Sequence, residues 1–298
     1  MSKPIFGSEP LFLVGTGRCG STVLHRMLAE HPHLAFISRV LTRFPTRLDL
    51  QRAALRLWDF SLLPSRLRER VGPTEGWPFW DHHIPGFSTP YRDIRRDDVS
   101  AKAEATTHKL FAEMTAGSRQ RVLVKFTGWT RLGFVKHVFP SAKIVHIIRE
   151  PHPVVRSMLD VSWWHGWGGP EKWRWGPLSE GEQRVWASHG QSFVVLAAIE
   201  WAKIMRAYRE SLEVLSPEDR ADVLEVCYDE LCNAREETMS KLLDFASLPD
   251  DTGYRARLDH FVLRSQDGKW RSDLSETQQH SLEHALDELG WQELMGKR

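Results

Sequence analysis

Leu11-Phe12-Leu13-Val14-Gly15-Thr16-Gly17-Arg18-Cys19-Gly20-Ser21-Thr22-Val23-Leu24-His25-Arg26-Met27-Leu28 sets the class of this chain. Four apolar residues run straight into a glycine-rich turn, and an amphipathic run follows. That order predicts a strand, a phosphate-cradling loop and a helix. Glycines admit an anion close to the backbone, and the free N–H groups of the first helical turn point at it. The loop nearly fits two patterns. Gly15, Gly17 and Gly20 satisfy the dinucleotide pattern G-x-G-x-x-G, whereas Gly15, Gly20 and Thr22 satisfy the ends of the triphosphate pattern G-x-x-x-x-G-K-[ST]. Ser21 stands where the second pattern needs lysine, and the cation is Arg18, inside the loop. A phosphate loop that does not hold a magnesium triphosphate is implied.

A nicotinamide site wants an acidic residue roughly 20 residues beyond the loop, for the ribose hydroxyls. The segment there supplies Ser38 and Arg39. Arg39 suits the additional phosphate of NADP, so an NADP-dependent oxidoreductase stays open at this point. Composition narrows the rest. A chain of 298 residues without internal repeat or linker reads as one domain over residues 1–298, with residues 1–9 as a leader. A formal net charge of +1 gives no general pull towards nucleic acid or a membrane surface. No apolar run approaches a membrane span or a signal-peptide core. Three cysteines, Cys19, Cys227 and Cys232, form no metal-like cluster, so no metal is expected and the cytoplasm is the expected location.

Further along, Ile144-Val145-His146-Ile147-Ile148-Arg149-Glu150-Pro151-His152-Pro153 repeats the first arrangement with different chemistry. A short β-branched run predicts a buried parallel strand. Arg149 ends it at the carboxyl edge, where open α/β sheets bind ligands, and the prolines open a helix that carries Ser157. A guanidinium grips phosphate bidentately and a hydroxyl adds a donor. Between the motifs, residues 43–72 read as basic amphipathic helix broken by Pro45 and Pro64, residues 75–97 as loop, and residues 98–114 as helix. Residues 121–125 read as a strand, 132–139 as helix, 184–215 as one long helix, 223–228 as a strand and 236–246 as helix. Strands separated by helices predict an α/β fold, a central parallel sheet with helices on both faces.

These motifs together resemble the sulfotransferase family that uses 3′-phosphoadenosine 5′-phosphosulfate (PAPS), in a bacterial-type member with a P-loop-like loop after the first strand. Residues 12–22 look like the family's 5′-phosphosulfate loop, G-x-x-[RK]-[SC]-G-[ST]-[ST], which assigns Gly17, Arg18, Cys19, Gly20, Ser21 and Thr22 to the donor. Arg149 and Ser157 hold the spacing of its 3′-phosphate motif. Tyr228-Asp229-Glu230-Leu231 resembles its Y-E-D-L strand end, and Gly268-Lys269-Trp270-Arg271 resembles its late basic-aromatic nucleotide clasp, formed by Lys269, Trp270 and Arg271. The resemblance implies PAPS as co-substrate and a lysine at the end of a central strand, here Lys125.

Sulfuryl transfer needs an in-line donor, cations at the sulfuryl and bridging oxygens, a base for the acceptor proton and exclusion of water. Arg18 and Lys125 supply the charge. The base is where the chain departs from its relatives: many carry a glutamate where Ser38 and Arg39 stand, others a histidine where Thr127 stands. A non-catalytic nucleotide-binding protein therefore also stays open. The substitutes lie in the aromatic segment 73–97, where Glu75 is flanked by Trp77 and Trp80 and followed by His82 and His83. Partial desolvation by the indoles favours Glu75 as the base. Trp163, Trp164, Trp167, Trp173 and Trp175 sit among glycines and prolines in residues 162–183. Segments 73–97 and 162–183 are expected to lie over the acceptor, a small molecule that is apolar, aromatic or glycosidic.

Overall fold

Both faces of the first strand, β1 (Leu11–Gly15), are covered, which explains its unbroken apolar run. Its side chains alternate: Leu11 and Leu13 enter one core layer, Phe12 and Val14 the other. The computed structural model describes residues 9–60, 62–265 and 268–296. Around β1 it places β2 (Leu34–Phe36), β3 (Arg121–Thr127), β4 (Lys143–Ile148) and β5 (Val223–Cys227), all parallel, in the order β2-β3-β1-β4-β5. The parallel sheet with helices on both faces is as the sequence predicts.

The helices follow the chain as α1 (Ser21–Ala29), α2 (Arg39–Arg43), α3 (Leu48–Trp58), α4 (Ser65–Val71), α5 (Trp77–His83), α6 (Ala101–Glu113), α7 (Leu132–Val138), α8 (Pro151–Leu159), α9 (Glu180–Ser188) and α10 (Phe193–Glu213). On one face, α1 sends Leu24, Met27 and Leu28 against Leu13, Leu123 and Val145. On the other, Phe111 and Phe134 pack with Phe12, Val124 and Phe126. A third apolar cluster joins α8, α10 and the C-terminal helices through Val155, Ile199, Trp201 and Leu286.

Three expectations about local structure need correction. The strand β2 goes unread in the sequence, because three residues are too short to show a period. Residues 75–97 are not all loop: Gly76, at φ 73°, caps α5, and Pro78 sits in its first turn. Proline is at home in a first turn, so the feature that suggests a loop is a helix start. The single helix over 184–215 is two, since Gly190 and Gln191 take φ of 64° and 57° and Ser192 caps α10 through a bond from the Val194 N–H. Residues 1–8 of the expected leader lie outside the described residues, and the Glu9 carbonyl accepts a hydrogen bond from Arg121 Nε.

Strand order also disposes of the dinucleotide alternative. In the doubly wound dinucleotide fold the second strand lies beside the first. Here β3 stands between them, which moves Arg39, exposed just beyond β2, about 4.8 Å further from the loop.

Candidate active site

The loop between β1 and α1 owes its shape to close packing beneath it. A Cβ on Gly15 would meet Cys19 Sγ at 2.6 Å and the Ile147 carbonyl at 2.9 Å. Cys19 is fully buried, a small side chain that fills the turn. Gly17, Arg18 and Gly20 have φ of 84°, 54° and 92°, so the backbone turns left-handed and presents successive N–H groups ahead of α1. At Gly20 any Cβ would collide with the Tyr228 ring at 2.1 Å. Tyr228 follows β5 directly, and Arg149 follows β4 opposite it. The Arg149 guanidinium lies 4.4 Å from the centre of the Tyr228 ring. One aromatic ring thus braces both the phosphate loop and the arginine of the second motif.

The two donor motifs also touch directly. Arg18 Nε donates to Ser157 Oγ at 2.9 Å, and Arg149 Nη1 approaches the Arg18 carbonyl at 3.5 Å. Of the late motif, Trp270 is buried against α8, with His152 stacked on it at 4.7 Å and the Arg271 guanidinium 4.4 Å from its centre. Its ring is therefore occupied by protein, while Lys269 and Arg271 remain exposed. Burial of His152 lowers its pKa. An ion pair from Arg156 to Asp273 fastens the segment beside Ser157.

Lys125 stands on β3, paired with Leu13 of β1, and its side chain is almost fully buried on the α1 side. Its ammonium donates to Thr22 Oγ1 at 3.1 Å and pairs with Glu75 Oε1 at 2.9 Å. Thr127 Oγ1 donates to the same Glu75 oxygen at 3.0 Å. Lysine, threonine and glutamate therefore converge at the mouth of the phosphate loop. No hydrogen bond falls on Glu75 Oε2 among the described residues.

Of the three base candidates, the structure brings only Glu75 to Lys125. His83 Nε2 lies 3.1 Å from the Pro45 carbonyl, in the α2–α3 connection, and exposed His82 packs on His83 at 4.8 Å. Burial lowers the His83 pKa. The surroundings of Glu75 also differ from the expected indole pair. Trp80 is buried against Phe87 and Phe126, and Trp77 stacks on Phe126. Phe79, Trp80 and Phe87 are core, Trp77 packs against it half-buried and Tyr91 is exposed, and the carboxylate meets a cation and a hydroxyl. Ser38, near the position where the family resemblance implies a glutamate, is fully buried and caps α2 through a bond from the Leu41 N–H, held in turn by Gln51.

The tryptophan-rich segment is divided. Trp164, Trp173 and Trp175 are buried, while Trp163 and Trp167 are half exposed. Trp175 packs edge-on to Trp129 at 5.3 Å and covers Gly128, one residue beyond β3, so the segment reaches the mouth of the site. Trp164 Nε1 donates at 2.7 Å to Glu200, a buried carboxyl whose pKa desolvation pushes up to about 7. Two arginines missed by sequence reasoning lie here. Arg131 is fully buried, donates to the Trp129 and Phe87 carbonyls and has its pKa lowered to about 10 by burial. Arg174 lies over the Trp175 ring at 4.7 Å. The only linear hint was an arginine between two tryptophans. A groove of about 1600 Å³ beyond Trp129 and Trp175 runs along the outer side of α10 by Lys203 and Arg206, away from the phosphate loop.

This arrangement has a known class. The sulfotransferase family pattern matches residues 10–252, and the chain belongs to that family. It is 24% identical over 182 residues to the omega-hydroxy-beta-dihydromenaquinone-9 sulfotransferase Stf3 of Mycobacterium bovis and to that of Mycobacterium tuberculosis, a match covering 54% of this chain. The matched part spans about half, 47%, of those relatives. Among solved structures, sulfotransferase STF9 from Mycobacterium avium is 16% identical with a TM-score of 0.56, over 96% of this chain and 77% of that one. Sulfotransferase STF1 from Mycobacterium tuberculosis H37Rv is 16% identical with a TM-score of 0.52, over 95% and 76%. These two likenesses establish the fold.

Proposed function

We propose that this protein transfers a sulfuryl group from PAPS to a hydroxyl or amine of a small-molecule, lipid or sugar acceptor. The carrying observation is the Lys125–Glu75–Thr127 cluster at the mouth of the loop. The loop N–H groups and Arg18 hold the 5′-phosphosulfate, and Arg149 with Ser157 holds the 3′-phosphate. In the transfer, the bond from sulfur to the 5′-phosphate oxygen breaks as a bond from sulfur to the acceptor oxygen or nitrogen forms. The acceptor proton passes to Glu75, and adenosine 3′,5′-bisphosphate leaves. Protonation removes the charge that pairs Glu75 with Lys125, which frees the ammonium for the oxygens where charge develops. Arg18 and Lys125 supply here what magnesium supplies in phosphoryl transfer.

The mycobacterial relatives are named for a hydroxylated dihydromenaquinone, which keeps a lipid hydroxyl within the acceptor range. Among the described residues no helix is long and apolar enough to cross a membrane. The cysteine usage supports a cytoplasmic location. The glutamate beside Thr127 weighs against a non-catalytic role.

The test is turnover of labelled PAPS over a panel of acceptors, together with thermal shift. Adenosine 3′,5′-bisphosphate should stabilise the fold more than ATP or NADP, and label should reach at least one acceptor. A preference for NADP, or tight bisphosphate binding without transfer to any acceptor, overturns the reading.

A further inference from the structure

Arginines taken out of water in this protein have partners within hydrogen-bond reach, with one exception. Arg119 donates to the Asp59 carboxylate and to the carbonyls of Ala29, His31 and Leu34. Arg121 donates to the Glu9 and Ala246 carbonyls, and Arg131 to those of Trp129 and Phe87. Arg174 is half-buried, and burial lowers its pKa, yet among the described residues its guanidinium makes no hydrogen bond and no ion pair. The carboxylates whose charge acts on it are Glu200 and Glu75. Glu75 is taken by Lys125 and Thr127, and Glu200 by the Trp164 indole. The contact Arg174 does make is with the Trp175 ring. Five donors in a rigid fork are thus held on the Trp175 ring without a hydrogen-bond partner among the described residues.

Position says what the fork is for. The donor's charges are matched by the loop, by Arg149 just beyond β4 and by Lys125 within β3. Arg174 comes instead from the segment between α8 and α9, outside every donor motif. The Trp175 ring beneath it packs against Gly128, the residue after Thr127, which bonds Glu75, and among the described residues Glu75 Oε2 carries no hydrogen bond. We infer that Arg174 is a specificity residue for the acceptor: it binds a carboxylate, sulfate or phosphate carried on the acceptor beside the group that is sulfated. This rests on the sulfotransferase reading and deepens it, from an acceptor of open chemistry to an anionic one. A bidentate Arg–anion pair also orients the acceptor towards Glu75, which a neutral acceptor would leave to apolar contacts alone.

The test uses the full chain saturated with adenosine 3′,5′-bisphosphate and matched probe pairs. They are para-hydroxybenzoate against its methyl ester, a long-chain beta-hydroxy acid against its methyl ester, and glucuronate against glucose. Binding is read by calorimetry, and by Trp fluorescence because the fork covers Trp175. The anionic member of at least one pair should bind roughly tenfold or more tightly, the worth of a charge-assisted bond. Arg174→Gln should erase that preference and Arg174→Lys should keep part of it, both with bisphosphate affinity unchanged. Equal or absent binding of both members in every pair overturns the inference. So does an Arg174→Gln variant that loses bisphosphate affinity, which would assign the residue to the donor. Failure of the sulfotransferase reading itself would show earlier, as absence of bisphosphate binding to the unaltered protein.

Discussion

The phosphate loop and the Glu75 pocket meet at Lys125, yet they are made differently. The loop is eight consecutive residues, 15–22, and its working groups are backbone N–H donors set by glycines and one left-handed arginine. The pocket gathers Glu75, Lys125, Thr127 and Arg174 from segments far apart in the chain, and its working groups are side chains. A backbone cradle binds what every member of a fold class shares, whereas a side-chain pocket can be changed one residue at a time. On the proposed function, donor recognition falls to the loop and acceptor chemistry to the pocket, and substitutions can break that division.

The largest expected effect is at Glu75. Glu75→Gln should preserve the fold and bisphosphate affinity but lower kcat by about 10²–10⁴, the usual worth of a general base. Rate measured against pH should lose its acidic limb with the carboxylate. Turnover unchanged in this variant would move the base out of the pocket.

Lys125→Ala comes next, and it probes the boundary. Since the charge it meets grows mainly during transfer, kcat should fall by about 10²–10³ while bisphosphate affinity changes far less. Equal losses in both would make Lys125 part of the donor cradle.

Glu200 tests the pocket's wall without touching the loop. Burial raises its pKa from 4.5 to about 7, so the folded protein holds a proton that the unfolded chain releases between those values. Stability should therefore fall as pH rises from about 4.5 to about 7 and level off above, by at most about 3.5 kcal/mol at about 1.4 kcal/mol per pH unit. Glu200→Gln should flatten that part of the curve in chemical denaturation. An unchanged slope would mean that the carboxyl is not held protonated between its tryptophans.

The smallest effect belongs to the donor half. Arg149→Ala should reduce the preference for adenosine 3′,5′-bisphosphate over 5′-AMP by roughly tenfold or more, with 5′-AMP binding little changed. Equal weakening of both nucleotides in titration would show that Arg149 acts by bracing Tyr228 and the loop.

The sequence alone determined the strand–loop–helix at residues 11–28, the paired motif at Arg149 and Ser157, the parallel sheet and a cation on a central strand at Lys125, although that strand runs on to Thr127. Each is written in consecutive residues: apolar runs for buried strands, glycines for left-handed turns, prolines for helix starts. Glu75 could be nominated as base, but through indole neighbours that turn out to lie in the core or against it. Only the tertiary structure decided that Lys125 and Thr127 flank it, that His82 and His83 are directed elsewhere, and that Tyr228 supports both Gly20 and Arg149. It alone showed Arg174 half-buried without a hydrogen-bond partner among the described residues. Those facts depend on which side chains from distant segments fill the same space, and local periodicity carries no record of that. A partner fifty residues away is chosen by packing, so it becomes visible only when the chain is folded.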